Sequence, residues 1–126
     1  MKINEIKVNN LAIHKDFGEC TIFGIDKETV QIKLNNSDKR EWVDIKDLSG
    51  VPLTKELILK FGFEWIIYYQ ANHKVGFKFD LNESYKGGYS LSTFKKEVIL
   101  VEKMEYLHQL QNVYFSLMNK ELTEVN

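Results

Sequence analysis

Between Tyr106 and Asn119 the chain runs fourteen residues without an Asp, Glu, Lys or Arg, although 28% of its residues are charged. Leu107, Leu110, Tyr114 and Leu117 recur there at helical spacing, so the stretch encodes the apolar stripe of an amphipathic helix. The back of a solvated helix normally carries charge. This one carries His108, Asn112, Ser116 and Asn119 instead. A face that is polar but never charged suits a surface covered by other protein, inside this fold or from a partner. His108, Asn112 and Ser116 are therefore candidate partner-binding residues, with His108 most simply a neutral polar group on the helix.

The rest of the composition narrows the function classes. An apolar fraction of 44% and an aromatic fraction of 13% in 126 residues are those of one compact folded unit. With 17 basic and 18 acidic residues the chain has no global attraction for nucleic acid or anionic membranes. Arg40 is the only arginine, which counts against a reader of phosphate or guanine built on the bidentate guanidinium fork. Cys20 is the only cysteine, so no intrachain disulfide forms and a reducing compartment is expected. The start Met1-Lys2-Ile3-Asn4-Glu5 lacks an apolar signal core, and no apolar run approaches the length of a membrane span. A cytoplasmic protein with no membrane partner is expected.

Along the chain the pattern is α+β. Leu11 to His14, Glu19 to Ile25, Thr29 to Leu34 and Lys39 to Ile45 read as short strands separated by turn-forming residues. Ending in the turn-like Asp47-Leu48-Ser49-Gly50, they predict a small SH3-like antiparallel β lobe over residues 1–52. In the fourth strand Val43 and Ile45 point inward, which puts Arg40, Trp42 and Asp44 on the opposite face. Residues 53–126 then predict a short linking helix, a second antiparallel sheet and a C-terminal helix packed on it. Thr54 caps the linking helix over Lys55 to Phe61, and Gly62 stops it. In the second β unit Trp65 to Gln70 reads as a strand and Ala71 to Lys74 as a turn. A further strand shows Val75, Phe77, Phe79 and Leu81 on one face, with Gly76, Lys78 and Asp80 on the other. Tyr89 to Leu91 pair briefly, and Val98 to Val101, apolar on both faces, reads as a central strand. The closing helix is expected from about Lys103 to Asn119.

No catalytic, metal or cofactor constellation is visible. His14, His73 and His108 show no paired ligand spacing, and there is no second cysteine. Cys20 lies mid-strand on the face of Ile22, the usual place of a buried inert thiol. Gly87-Gly88 lacks the lysine and following helix of a phosphate loop. No small-molecule substrate is implied.

Two binding readings remain open on the residues alone. Lys74, Lys78, Lys86, Lys95 and Lys96 alternate with Tyr85, Tyr89 and Phe94, the ingredients of a single-strand stacking platform. The plain alternative is lysines that solubilise an outer face over aromatic core. Trp42 is either covered by the second β unit or the C-terminal helix, or left as an interface anchor.

Two segments carry a resemblance. Val51-Pro52-Leu53-Thr54-Lys55-Glu56-Leu57-Ile58-Leu59-Lys60-Phe61-Gly62-Phe63 resembles a segment of a group of small proteins from phages, prophages and conjugative elements. Leu107-His108-Gln109-Leu110-Gln111-Asn112-Val113-Tyr114-Phe115, followed by Glu121-Leu122-Thr123, is similar to their closing helix. Where that group commonly has Thr-Gly after the helix this chain has Met118-Asn119, so its helix is expected to run slightly further. In size and type the chain also resembles an anti-CRISPR protein directed at the type VI-B RNA-targeting nuclease. The resemblance implies a mobile-element origin and a non-catalytic protein that acts by binding. It implies a host CRISPR effector nuclease as the partner, with guide RNA contacted at the same time. A small nucleic-acid-binding accessory module and a phage structural or assembly factor are the alternatives.

Overall fold

The computed structural model describes residues 1–85, 87–93 and 96–125. Two five-stranded antiparallel sheets and two α-helices make up the α+β architecture. Strands β1 (Leu11–His14), β2 (Gly18–Asp26), β3 (Thr29–Leu34) and β4 (Arg40–Asp44) form a meander, each paired with its neighbour. Alternation drives it: Ala12, Cys20, Ile22, Val30 and Ile32 all point into a small core and are fully buried. The expected turn at Asp47–Gly50 is instead partly β5 (Leu48–Ser49), which pairs with β1 and buries Leu48. The sheet order is β4-β3-β2-β1-β5.

Helix α1 (Lys55–Lys60) forms where the sequence places it. Thr54 Oγ1 accepts the Leu57 N–H at 3.1 Å, and Gly62, at φ +93°, turns the chain out of the helix. Ile58 and Phe61 face the larger core.

The second sheet has the order β10-β9-β8-β7-β6 and departs from expectation in register. The strand read over Trp65 to Gln70 is only β6 (Glu64–Ile66); a turn follows, in which Tyr69 and Gln70 donate to the Ile66 and Ile67 carbonyls. Ala71–His73, read as a turn, is β7. The alternation from Val75 to Leu81 is not a strand. Val75 is 92% exposed, Gly76 has φ +85°, and Phe77 drops its ring into the core from a loop. The strand here is β8 (Asp80–Glu83), and Asp80, expected on the outer face among solvated groups, is buried. Strand β9 (Tyr89–Ser92) follows a turn at Gly88, where a side chain would collide with the Met104 carbonyl. Strand β10 (Ile99–Met104) is an edge, not the central strand its apolar run suggested.

Helix α2 (Leu107–Met118) is shorter than predicted, because Lys103 and Met104 belong to β10. Gln109 Oε1 accepts the backbone N–H groups of Glu105 and Tyr106 at 2.8 and 2.9 Å, fixing its start. It ends at Asn119, which takes a left-handed conformation and donates to the Phe115 carbonyl, so the helix does not run on. Leu107, Leu110 and Tyr114 pack with Ile58, Phe61, Leu81, Leu91 and Met104 against the second sheet. Burying a leucine such as Leu110 contributes about 1.5–3 kcal/mol.

The first lobe covers the N-terminal half of the uncharged back of α2, at His108 and Asn112, and leaves Ser116 and Asn119 exposed. Gln111 Oε1 accepts the Leu11 N–H at 3.0 Å. Asn112 Oδ1 accepts from Asn10 Nδ2 at 2.8 Å, while its own amide donates to the Glu5 carbonyl at 2.7 Å. The two sheets are thus joined through one helix, its apolar stripe in one core and its amides bonded to the other lobe. Among the described residues, no helix is long and apolar enough to cross a membrane.

Candidate binding face

The second sheet carries a concave surface. Two adjoining hollows of about 590 and 480 Å³ share Gln70, Asn82 and Lys96. Trp65 and Leu59 stand at the first, Tyr68 and Tyr69 at the second. The floor is polar: Asp80 and Asn82 are 4% and 6% exposed. The β6–β7 turn explains the walls. By folding back after Ile66 it raises Ile67 and Tyr68 to 81% and 78% exposure, and Trp65 beside them is 59% exposed.

Asp80 is held by its neighbours. Cross-strand register sets His73, Asp80 and Ser92 side by side on one face of the sheet. His73 Nδ1 lies 2.8 Å from Asp80 Oδ1, and the Tyr69 ring packs 4.7 Å from the imidazole. Ser92 Oγ is buried with no hydrogen-bond partner. These are the residue types of an acyl-transfer triad in another order: the carboxylate is the cross-strand neighbour of both imidazole and hydroxyl, and the imidazole is not the residue paired with the serine. Cys20 is similarly unsuited to attack. Its thiol is fully buried and its pKa is pushed up to about 11 by that burial. Among the described residues, no group of three or more His, Cys, Asp or Glu is placed to hold a metal ion.

The residues singled out from sequence meet different fates. His108 is internal, which removes it from the partner-binding set, and Asn112 is half-buried with its side chain bonded to Asn10 and Glu5. His108 is 1% exposed, and burial first, then the N-terminal ammonium, lowers its pKa against the opposing pull of Glu5. Glu5 Oε2 is 3.7 Å from Nε2, too far for a hydrogen bond, and neither ring nitrogen has a partner. Ser116 stays exposed, its hydroxyl donating to the Asn112 carbonyl. Trp42 is 56% exposed and covered by neither the second sheet nor α2; it lies over Gly24 on the outer face of the first sheet.

The proposed stacking platform is broken up. Tyr89 is 5% exposed and part of the larger core, so it offers no face to a base. Lys74 Nζ donates to the Phe61 carbonyl at 2.9 Å, closing the end of α1, and burial lowers its pKa. Lys78 and Lys96 are exposed, as is Tyr85 at 93%. Lys86, Phe94 and Lys95 lie outside the described residues.

Sequence reasoning missed Trp65, Tyr68, Asp80 and Asn82, which form the hollows, and Gln111, which joins the lobes. The usable signal was local: Asp80 and Asn82 flank Leu81 at a two-residue spacing, which marks a polar row on one sheet face. No family model, no curated protein and no solved structure matches the chain.

Proposed function

We propose that the chain is a non-catalytic accessory protein of a mobile element that docks on a partner protein, and that the partner is a host RNA-guided, RNA-targeting nuclease. The mobile-element origin rests on the resemblance of the α1 and α2 segments, and the choice of partner on the resemblance in size and type to an anti-CRISPR protein against the type VI-B nuclease. Docking rests on one observation: Trp65 and Tyr68 stand largely in solvent at the walls of hollows floored by buried Asp80 and Asn82. Large aromatic side chains beside a concave polar floor are what interface hot spots use, since they desolvate a wide area with few rotatable bonds. The chemistry favours binding over turnover, because Ser92 Oγ has no hydrogen-bond partner among the described residues and the Cys20 thiol, buried in the other lobe, is held protonated.

A tagged chain expressed in a host carrying the CRISPR locus tests this. The nuclease should co-purify after RNase treatment and should be lost with Trp65→Ala. Recovery of RNA without nuclease would favour the nucleic-acid-binding alternative, in which Lys96 at the shared edge of the hollows contacts phosphate.

A further inference from the structure

The edges of the two sheets are treated differently. Strand β4 ends the first sheet with Arg40, Glu41 and Asp44, the charges that keep an edge from pairing with another chain. Strand β10 ends the second sheet with its charges, Glu102 and Lys103, in its second half, and leaves its first half, Ile99 to Val101, apolar. Val98, Ile99 and Leu100 are 58%, 53% and 43% exposed, so this run is uncovered on both of its faces. Among the described residues β10 pairs with β9 alone. Its outer side is met only past its end, where Leu53 donates to the Glu105 carbonyl and Leu107 to that of Val51. Two register shifts against β9 flank Val101 and bend the strand, yet they leave apolar groups outermost.

The flanking charges identify what fits this edge. We infer that β10 is a self-association surface: a second copy of this chain pairs with it antiparallel about a two-fold axis at Leu100. In that register Leu100 meets its own counterpart and Ile99 meets Val101. Glu97, two residues ahead of β10, then comes within reach of Lys103 of the other copy, so one sequence supplies both halves of two ion pairs. Sliding the register by one residue brings Glu97 towards Glu102 instead. Like charges then oppose on both sides, which disfavours that slip. Lys103 now makes only a surface pair with Glu105, at 3.2 Å with both side chains 41% or more exposed, a contact that yields readily. The paired edges would run the two second sheets into one continuous sheet of ten strands.

Sedimentation equilibrium of the whole chain at a series of concentrations tests this. The unaltered chain should dimerise reversibly, and Leu100→Lys should raise the dissociation constant at least ~10-fold by opposing two ammonium groups at the axis. Glu97→Lys and Lys103→Glu should each weaken the dimer, and the double variant should restore it. That rescue distinguishes pairing from a folding defect. A chain that stays monomeric throughout overturns the inference. So does a dimer that ignores the single charge reversals, since it would be formed by another face.

Discussion

The first sheet keeps Ala12, Cys20, Ile22, Val30 and Ile32 entirely out of water and finishes on a charged strand; the second leaves Trp65, Ile67, Tyr68, Ile99 and Leu100 in it. Both are five-stranded and antiparallel, so strand number and pairing do not account for the contrast. The second sheet has its own core, filled by α1 and α2, and its exposed apolar groups lie outside that core. Exposed groups of this kind contribute little to folding, whereas at an interface they decide affinity. The first lobe is tied to α2 and leaves Trp42 and Phe17 in solvent on its outer side, whereas the second gathers its exposed apolar groups beside the hollows and along β10.

The heaviest blow to the second lobe should come from its core. Leu110→Ala, at a fully buried position, should cost about 2–5 kcal/mol in urea unfolding. A loss under about 1 kcal/mol would mean that α2 does not anchor the second sheet. Next is the joint between lobes. Asn112→Lys removes bonds to Asn10 and Glu5 and brings a charge to a half-buried site, so about 1–3 kcal/mol should be lost. Unchanged stability, with altered self-association or partner binding, would return Asn112 to the surface and break the comparison.

Acid should act through the same joint. His108 has its pKa lowered by burial, so the folded state holds it neutral while the unfolded chain protonates it near 6.5. The unfolded state therefore binds more protons between the folded value and 6.5, and stability rises with pH across that window. The stability is fully present above about 6.5 and is lost as pH falls towards the folded value, by no more than about 1.4 kcal/mol per pH unit. His108→Gln should flatten this slope in unfolding curves taken at a series of pH values. A slope that persists would place the titrating group elsewhere. The smallest effect on stability is expected at the hollows. Trp65→Ala should change it by less than about 1 kcal/mol, since the ring is more than half exposed, while partner capture falls by tenfold or more. A large drop in melting temperature would show that Trp65 belongs to the scaffold.

The sequence was most legible where the chain folds on its nearest neighbours. The bounds of β1 and β3 follow from alternation alone, and the Thr54 cap and Gly62 stop define α1 to within a residue. It was least legible from Trp65 to Leu81, where turn and strand exchanged places. Phe77 and Leu81 keep a two-residue period with Val75 and Phe79, but the first two enter the core from different local structures and Val75 never enters it. Periodicity cannot separate a strand from a loop that drops one ring inward. The apolar run at Val98–Val101 misled in a related way, because burial on both faces and exposure on both faces look alike in sequence. The uncharged face of α2 is covered by protein only at His108 and Asn112, and the sequence did not name the cover. Asn10 and Glu5 lie about a hundred residues away, and only the fold brings them there.

That separation also sets the order in which the molecule can be put together. The β1–β4 meander closes through hairpins of neighbouring strands, whereas the bonds from α2 to Leu11 and Glu5 join residues 100 and 107 positions apart. The entropy of closing such long loops is spent before their contacts give anything back, so these contacts belong to the late side of the folding barrier. On a ribosome the first sheet emerges whole while α2 is still unmade, and the second sheet, with Ile99 and Leu100 uncovered, waits for its helix. Damage to the Asn112 joint should therefore appear chiefly as faster unfolding, with the refolding rate nearly untouched.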